Sequence, residues 1–297
     1  MTAFDISGLR SVDFTVPDLG AAVEFYTAAW GLTLADRRSD TAWLRGTGED
    51  RQLLALHAGE RAAIRSMTFR ATDREAQARL STRLQGIGCR LTSILHTTDE
   101  PGAGVAFAVT DPTGRTIRIV ADDERRIADP PAVDRAERLA HVNINSDDVA
   151  RDTALFVDGL GFRLTDRSKM MAFVRTNSDH HSIVIAEAPV NTLNHVAFLV
   201  PTWEGVMRAS GRMVDHGFAI GWGVGRHGPG DNVFAYFVDP FGFVIEQTAE
   251  VLQVDDDYRV GSPADWTWAS GRTDQWGIAP PKSDACKAAQ LAIPFAG

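Results

Sequence analysis

A chain of 297 residues, 44% hydrophobic and 23% charged, is long enough for two domains that each bury a core, which excludes disorder as a reading of most of it. A formal charge of -9 argues against a polyanionic partner, because nucleic-acid binding announces itself as a basic patch or stripe. The expected partners are a small molecule and further copies of the chain as a homo-oligomer, with neither nucleic acid nor membrane. Cys89 and Cys286 form no CxxC pair, so no zinc knuckle or disulfide framework is supported. The opening MTAFDISGLRSVDF lacks the basic-then-apolar pattern of a signal peptide, and no run approaches the roughly eighteen apolar residues of a membrane span. A cytoplasmic, unanchored protein is expected.

The first readable unit, LRSVDFTVPDLGAAVEFYTAAWGLTLAD at 9–36, opens with an alternating strand, passes an aspartate turn able to cap a helix, and continues as an amphipathic helix carrying aromatics. The strand AWLRG follows, and IRSMTFRATD from Ile64 reads as a strand leading into a second helix. VAFAVTDPTGRTIRIV from Val105 is a hairpin, since Pro presets the turn of Asp-Pro-x-Gly and Gly accepts a positive φ. A polar, proline-containing linker, ADDERRIADPPAVDRAERLA, then separates two halves, expected at 1–125 and 126–297.

Beyond the linker the plan recurs. LAHVNINSDDVARDTALFVDGLGFRLTD at 139–166 aligns with 9–36, MAFVRT supplies the next strand, LNHVAFLVPT from Leu193 matches IRSMTFRATD, and VFAYFVDPFGFVIEQT from Val233 matches the hairpin. The chain thus reads as four modules, two per domain, in the α+β class. After Glu250 comes a tail of different composition with Trp266, Trp268 and Trp276, expected to pack as a cover on the C-terminal half.

The period of two in LAHVNIN puts His141, Asn143 and Asn145 on one face of a strand. His195 holds the corresponding third position of LNHVAFLV, and Glu246 sits among apolar neighbours in FVIEQT. Two imidazoles and a carboxylate from three strands match the facial triad that leaves open positions on non-heme Fe(II). Hydrogen-bonded core histidines and an incidental glutamate would explain any one of them alone. The duplication argues otherwise, because the equivalent N-terminal positions are Ser11, Ser66 or its neighbour Met67, and Arg118. All three candidates occur together in one half and are missing together from the other.

These residues carry a resemblance. The modules resemble the βαβββ units of the vicinal oxygen chelate (glyoxalase/bleomycin resistance) superfamily, and the C-terminal half resembles its type I extradiol dioxygenases, over roughly residues 6–250. Most specific is GRHGPGDNVFAYFVDPFGFVIEQT from Gly225, where His227, Tyr236 nine residues later and Glu246 ten after that stand at the family's pocket histidine, tyrosine and ligand positions. In DHHSIVI, His181 stands fourteen residues ahead of His195, where the resemblance implies the acid-base residue, and the adjacent His180 is the alternative. Gly-Pro-Gly-Asp-Asn departs from the family segment and leaves open whether Asp231 or Asn232 meets the pocket. The resemblance implies Fe(II), or Mn(II), held by His141, His195 and Glu246, and extradiol cleavage of a catecholic substrate by O2. His181 would move a proton, Tyr236 would donate to a substrate oxygen and His227 would position substrate. A glyoxalase-type isomerase, a thiol transferase acting on an antibiotic and a metal-free drug-binding protein are the rivals. His57, His96 and His216 lack comparable companions and read as surface or locally bonded.

Overall fold

The computed structural model describes residues 4–296. The first half runs β1 (Ile6–Val16), α1 (Leu19–Glu24), β2 (Thr33–Arg37), β3 (Thr41–Arg45) and β4 (Leu54–Ala58), then β5 (Ala63–Ala71), α2 (Arg74–Gly86), β6 (Arg90–Thr97), β7 (Val105–Thr110) and β8 (Thr116–Ala121). The second half runs β9 (Arg138–Ser146), α3 (Val149–Ala154), β10 (Arg163–Arg167), β11 (Met171–Arg175) and β12 (Ile183–Glu187), then β13 (Thr192–Leu199), α4 (Trp203–Asp215), β14 (Trp222–Arg226), β15 (Val233–Val238) and β16 (Val244–Ala249). The tail adds α5 (Asp284–Ala289) and the short β17 (Ile293–Pro294). Four βαβββ modules therefore stand as two tandem domains, the architecture expected from the repeats.

Each domain is one sheet, in the orders β2-β3-β4-β1-β5-β8-β7-β6 and β10-β11-β12-β9-β13-β16-β15-β14. The last strand of each module lies parallel to its first, and the first strands of paired modules run antiparallel side by side. The middle of the second sheet is consequently β9, β13 and β16, the three strands that carry His141, His195 and Glu246.

Local chemistry accounts for the connections. Asp18 and Asp148 cap α1 and α3 by accepting from the backbone N–H of Ala21 and Arg151, each at 2.9 Å. The helices are shorter than the sequence pattern suggests, because each widens after six residues into a π-helical turn, Phe25–Ala29 and Leu155–Gly159. Side-chain periodicity does not distinguish the two ring closures. In both hairpins an aspartate, Asp111 or Asp239, accepts backbone N–H groups two and four residues on, which braces the Asp-Pro-x-Gly turn.

One hydrophobic core spans both domains. Phe14 stacks on Phe243 with ring centres 3.9 Å apart, Trp30 meets Phe198 and Phe237 edge-on, and Phe69 packs against Phe156 and Phe162. The linker is polar as read, but it is not free of contacts. Arg126 and Asp129 bond the backbone at Glu49 and Thr47, Arg135 donates to the Gly31 carbonyl at 2.9 Å, and Asp134 pairs with Arg212, so this segment straps the domains together. No helix among the described residues is long and apolar enough to cross a membrane.

Candidate metal centre

The central strands turn three ligand-type atoms toward one point. His141 Nε2 lies 3.1 Å from His195 Nε2, and Glu246 Oε2 lies 3.2 Å from the first and 3.0 Å from the second. All three side chains are buried, and they are the one cluster of potential metal ligands of this kind among the described residues. Strand register produces the convergence: Ala197 on β13 pairs with His141 on one side and with Glu246 on the other, while His195 is two residues earlier on the same face.

This arrangement suits a cation. Burial alone would raise the Glu246 carboxyl, but the facing His141 and His195 hold it well below the usual carboxylate range. Burial pushes His195 down to about 4, so at neutral pH its imidazole is uncharged and offers a lone pair. At these separations Glu246 Oε2 faces the two imidazole nitrogens, and no Arg or Lys pairs with this carboxylate among the described residues. A buried anion requires compensation. Ligands about 2.1 Å from one metal sit about 3.0–3.4 Å apart, so sides of 3.0–3.2 Å let all three atoms reach the same ion.

The same register in the first domain holds different chemistry. Thr68 pairs with Ser11 and Arg118 as Ala197 pairs with His141 and Glu246, and Asp13 pairs with Ser66 as Asn143 pairs with His195. This makes Ser66, not Met67, the counterpart of His195. Arg118 there donates to both Glu100 oxygens at 3.1 Å and lies 3.5 Å from Asp13 Oδ2, so a guanidinium between carboxylates fills the equivalent space. His57, 3.6 Å from Asp13 and 3.3 Å from the Thr41 hydroxyl, belongs to this local network.

A cavity of about 320 Å³ opens beside the triad, lined by His141, Asn143, His181, His195, Asn232, Tyr236 and His227 among others. His181 contributes to its wall and its ring centre lies 4.4 Å from that of His141. The fully buried His180 lies behind, its Nδ1 3.0 Å from His181 Nδ1 and its Nε2 2.8 Å from Asp166 Oδ2. Asp166 also accepts from the Gly261 N–H at 2.6 Å and from the Tyr258 hydroxyl at 3.3 Å. Burial first, then His141 and His180, hold His181 well below its ordinary pKa.

His227 follows β14 and stacks on Phe234, with its Nε2 3.0 Å from the Tyr236 hydroxyl. Burial pushes His227 down to about 3, and burial together with Glu246 pushes Tyr236 well above 10, so the phenol stays protonated. Of the residues left open by the sequence, Asn232 lines the cavity and donates to Thr248 Oγ1 at 2.8 Å and Glu246 Oε1 at 3.3 Å, whereas Asp231 accepts from Arg226 and Gln275 instead. Gly230 must lack a side chain, since it has φ 85° and a Cβ there would come within 2.7 Å of the His181 ring.

Several pocket residues escape a reading of the sequence. Alternation already aligned Asn143 with His141, but Asn194 accepts from His195 Nδ1 at 2.8 Å, and Gln290 donates to the same Asn194 oxygen at 2.6 Å from far along the chain. Trp266 and Trp268 of the tail line the cavity, as does Lys282, while Trp276 packs instead under Arg226.

The profile of the Glyoxalase/Bleomycin resistance protein/Dioxygenase superfamily matches residues 8–119 and 138–247. The chain is 29% identical over 279 residues to metapyrocatechase 2 of Cupriavidus necator, covering 86% of this chain and 82% of that one. Among solved structures it is similar to the Mn(II)-bound glyoxalase from Novosphingobium aromaticivorans, at TM-score 0.88 and 30% identity over 95% of this chain and 94% of that one. It also shares the fold of homoprotocatechuate 2,3-dioxygenase from Brevibacterium fuscum in its complex with 3,4-dihydroxyphenylacetate, at TM-score 0.84 and 22% identity over 96% and 92% of the two chains.

Proposed function

This chain belongs to the Glyoxalase/Bleomycin resistance protein/Dioxygenase superfamily, and from that premise we propose that it is an extradiol dioxygenase, opening a catechol ring beside its hydroxyl groups with both atoms of O2 entering the product. The observation that carries the proposal is the buried triangle of His141 Nε2, His195 Nε2 and Glu246 Oε2, with sides of 3.0–3.2 Å, beside a cavity large enough for an aromatic ring. Under this reading the three residues hold Fe(II), with Mn(II) the alternative metal. When bound, the cation supplies Lewis acidity that makes a catechol hydroxyl easier to ionise and relays electron density from the ring to O2. The similarity to metapyrocatechase 2 supports the same reaction.

The protein supplies the proton handling and the orientation. His181, neutral at working pH, accepts the second catechol proton and holds it for return to oxygen. Tyr236 remains a phenol and donates to a substrate oxygen, and His227, within 3.0 Å of that hydroxyl, orients it and the bound ring. Trp266 and Trp268 add apolar wall to the cavity.

Oxygen uptake by anaerobically iron-loaded protein with a panel of substituted catechols tests the reading. One O2 should disappear per ring opened, with a yellow product. Glu246→Gln keeps the shape while removing the anion, so iron affinity and uptake should both fall to near background. No uptake by the iron-loaded protein across the panel would sink the dioxygenase reading, and undiminished uptake in the variant would sink Glu246 as a ligand. A glyoxalase-type isomerase is the second reading, favoured by the 30% identity to a Mn(II)-bound glyoxalase, and such an enzyme consumes no oxygen.

A further inference from the structure

The cavity beside the triad carries a charge pattern that ring opening itself does not require. The chain has three lysines, Lys169, Lys282 and Lys287. Two of them, Lys169 and Lys282, line this cavity, and no Asp or Glu lines it among the described residues, although the whole protein carries a formal charge of -9. Lys287 is neutralised by Asp284 at 2.9 Å, whereas neither cavity lysine has a carboxylate partner among the described residues.

Lys282 is the inner of the two. It belongs to the tail just ahead of α5, and its ammonium lies 4.5 Å from the centre of the Trp222 ring and 5.7 Å from that of Tyr236. These faces hold a cation in place. One N–H bonds Gln290 Oε1 at 2.6 Å, which leaves donor capacity for another acceptor. Burial lowers its pKa from the ordinary lysine value. A part-buried cation with no carboxylate within ion-pair distance gains from an anion that reaches it. Lys169 is exposed on the loop between β10 and β11, beside Met170 and Met171 at the same cavity.

We propose that the aromatic substrate carries an anionic substituent of the carboxylate class, received by Lys282 inside the cavity and drawn in by Lys169 at its mouth. The proposal rests on the ring-cleavage reading for the catechol end of the molecule, while its anion-binding half stands on the lysines. In an acidic protein a local positive cavity overcomes the general repulsion of an anion and selects it over a neutral analogue of similar size.

The test is anaerobic calorimetry on metal-loaded full-length protein with two probes, 3,4-dihydroxyphenylacetate and the neutral 4-ethylcatechol, followed by oxygen uptake with each. The acid should bind more tightly, and added salt should weaken it selectively. In Lys282→Met, which keeps the stem and deletes the charge, the acid-to-neutral affinity ratio should fall roughly tenfold or more, the range of one charge-assisted hydrogen bond. Lys287→Met, away from the cavity, should leave that ratio unchanged. A wild-type protein that binds the neutral probe as tightly as the acid, or a ratio unmoved in Lys282→Met, overturns the proposal. Absence of oxygen uptake with both probes would count against ring cleavage, while the binding ratio would still decide the role of Lys282.

Discussion

Which nitrogen of His181 can act is decided two residues away from it, by the hydrogen bonds behind the imidazole. Asp166 accepts from Gly261, Tyr258 and, in the Nε2–H tautomer, His180, and that tautomer leaves His180 Nδ1 as an acceptor facing its neighbour. In that tautomer His181 would donate from Nδ1 across 3.0 Å, and its Nε2 would keep the lone pair that a base needs. Replacing His181 by Asn should slow turnover by roughly 10²–10⁴-fold while bound iron is retained. His180→Asn and Asp166→Asn act only through His181 and should produce smaller falls, again with iron retained. Single-turnover rates and metal analysis on the three variants check this ordering, and a larger loss in His180→Asn than in His181→Asn would transfer the acid-base role to His180.

At the scale of elements, strand β13 and helix α5 are joined through Asn194. This side chain accepts from His195 Nδ1 at 2.8 Å and from Gln290 Nε2 at 2.6 Å, and donates to Asn145 Oδ1 at 2.8 Å. Groups that fix the outer nitrogen of a ligand histidine raise its basicity and set its ring orientation. Asn194→Ala should therefore weaken metal binding by roughly 10–100-fold, as read by competition with an iron chelator, and Gln290→Ala should do the same to a lesser extent. Metal affinity equal to wild type in Asn194→Ala would refute this link. The contrast between Asn143 and Gln290 marks what can be read from sequence. Residues that share a strand with a candidate ligand, such as Asn143 with His141, follow from a period of two, and the duplicated strands and Asp-Pro-x-Gly hairpins follow from repetition. Gln290 and Lys282 reach the site because a long tail folds back over β15, and no local pattern specifies where such a tail lands. The π-helical turns were hidden for a different reason, since a helix and its widened turn bury nearly the same side chains.

At the scale of the molecule the two domains clasp each other reciprocally. Arg115, beside the hairpin of the first domain, reaches Asp152 on α3 of the second, and both side chains are buried. Tyr26, following α1 of the first domain, donates to Asp239 Oδ2 in the hairpin of the second at 2.8 Å. The division proposed between residues 125 and 126 therefore separates units that share a core, and the clasp has a pH signature. Burial raises the Asp239 carboxyl to about 6, although Tyr26 and the backbone N–H groups of Phe241 and Phe243 oppose the shift. Its folded pKa thus exceeds that of an unfolded aspartate, near 4. Below pH 4 both states hold the proton and the contribution is fully present. Between about 4 and 6 the unfolded chain releases the proton while the folded one retains it, so stability declines by about 1.4 kcal/mol per pH unit, for a total of about 3 kcal/mol. Asp239→Asn resembles the protonated carboxyl and cannot titrate. Its stability relative to wild type, measured by denaturant unfolding of the metal-free proteins, should rise across this window and level off above pH 6, with all other titrating groups cancelling in the difference. Parallel stability curves for the two proteins from pH 4 to 7 would show that Asp239 is already ionised in the folded state and that the clasp is an ordinary tyrosine-carboxylate hydrogen bond.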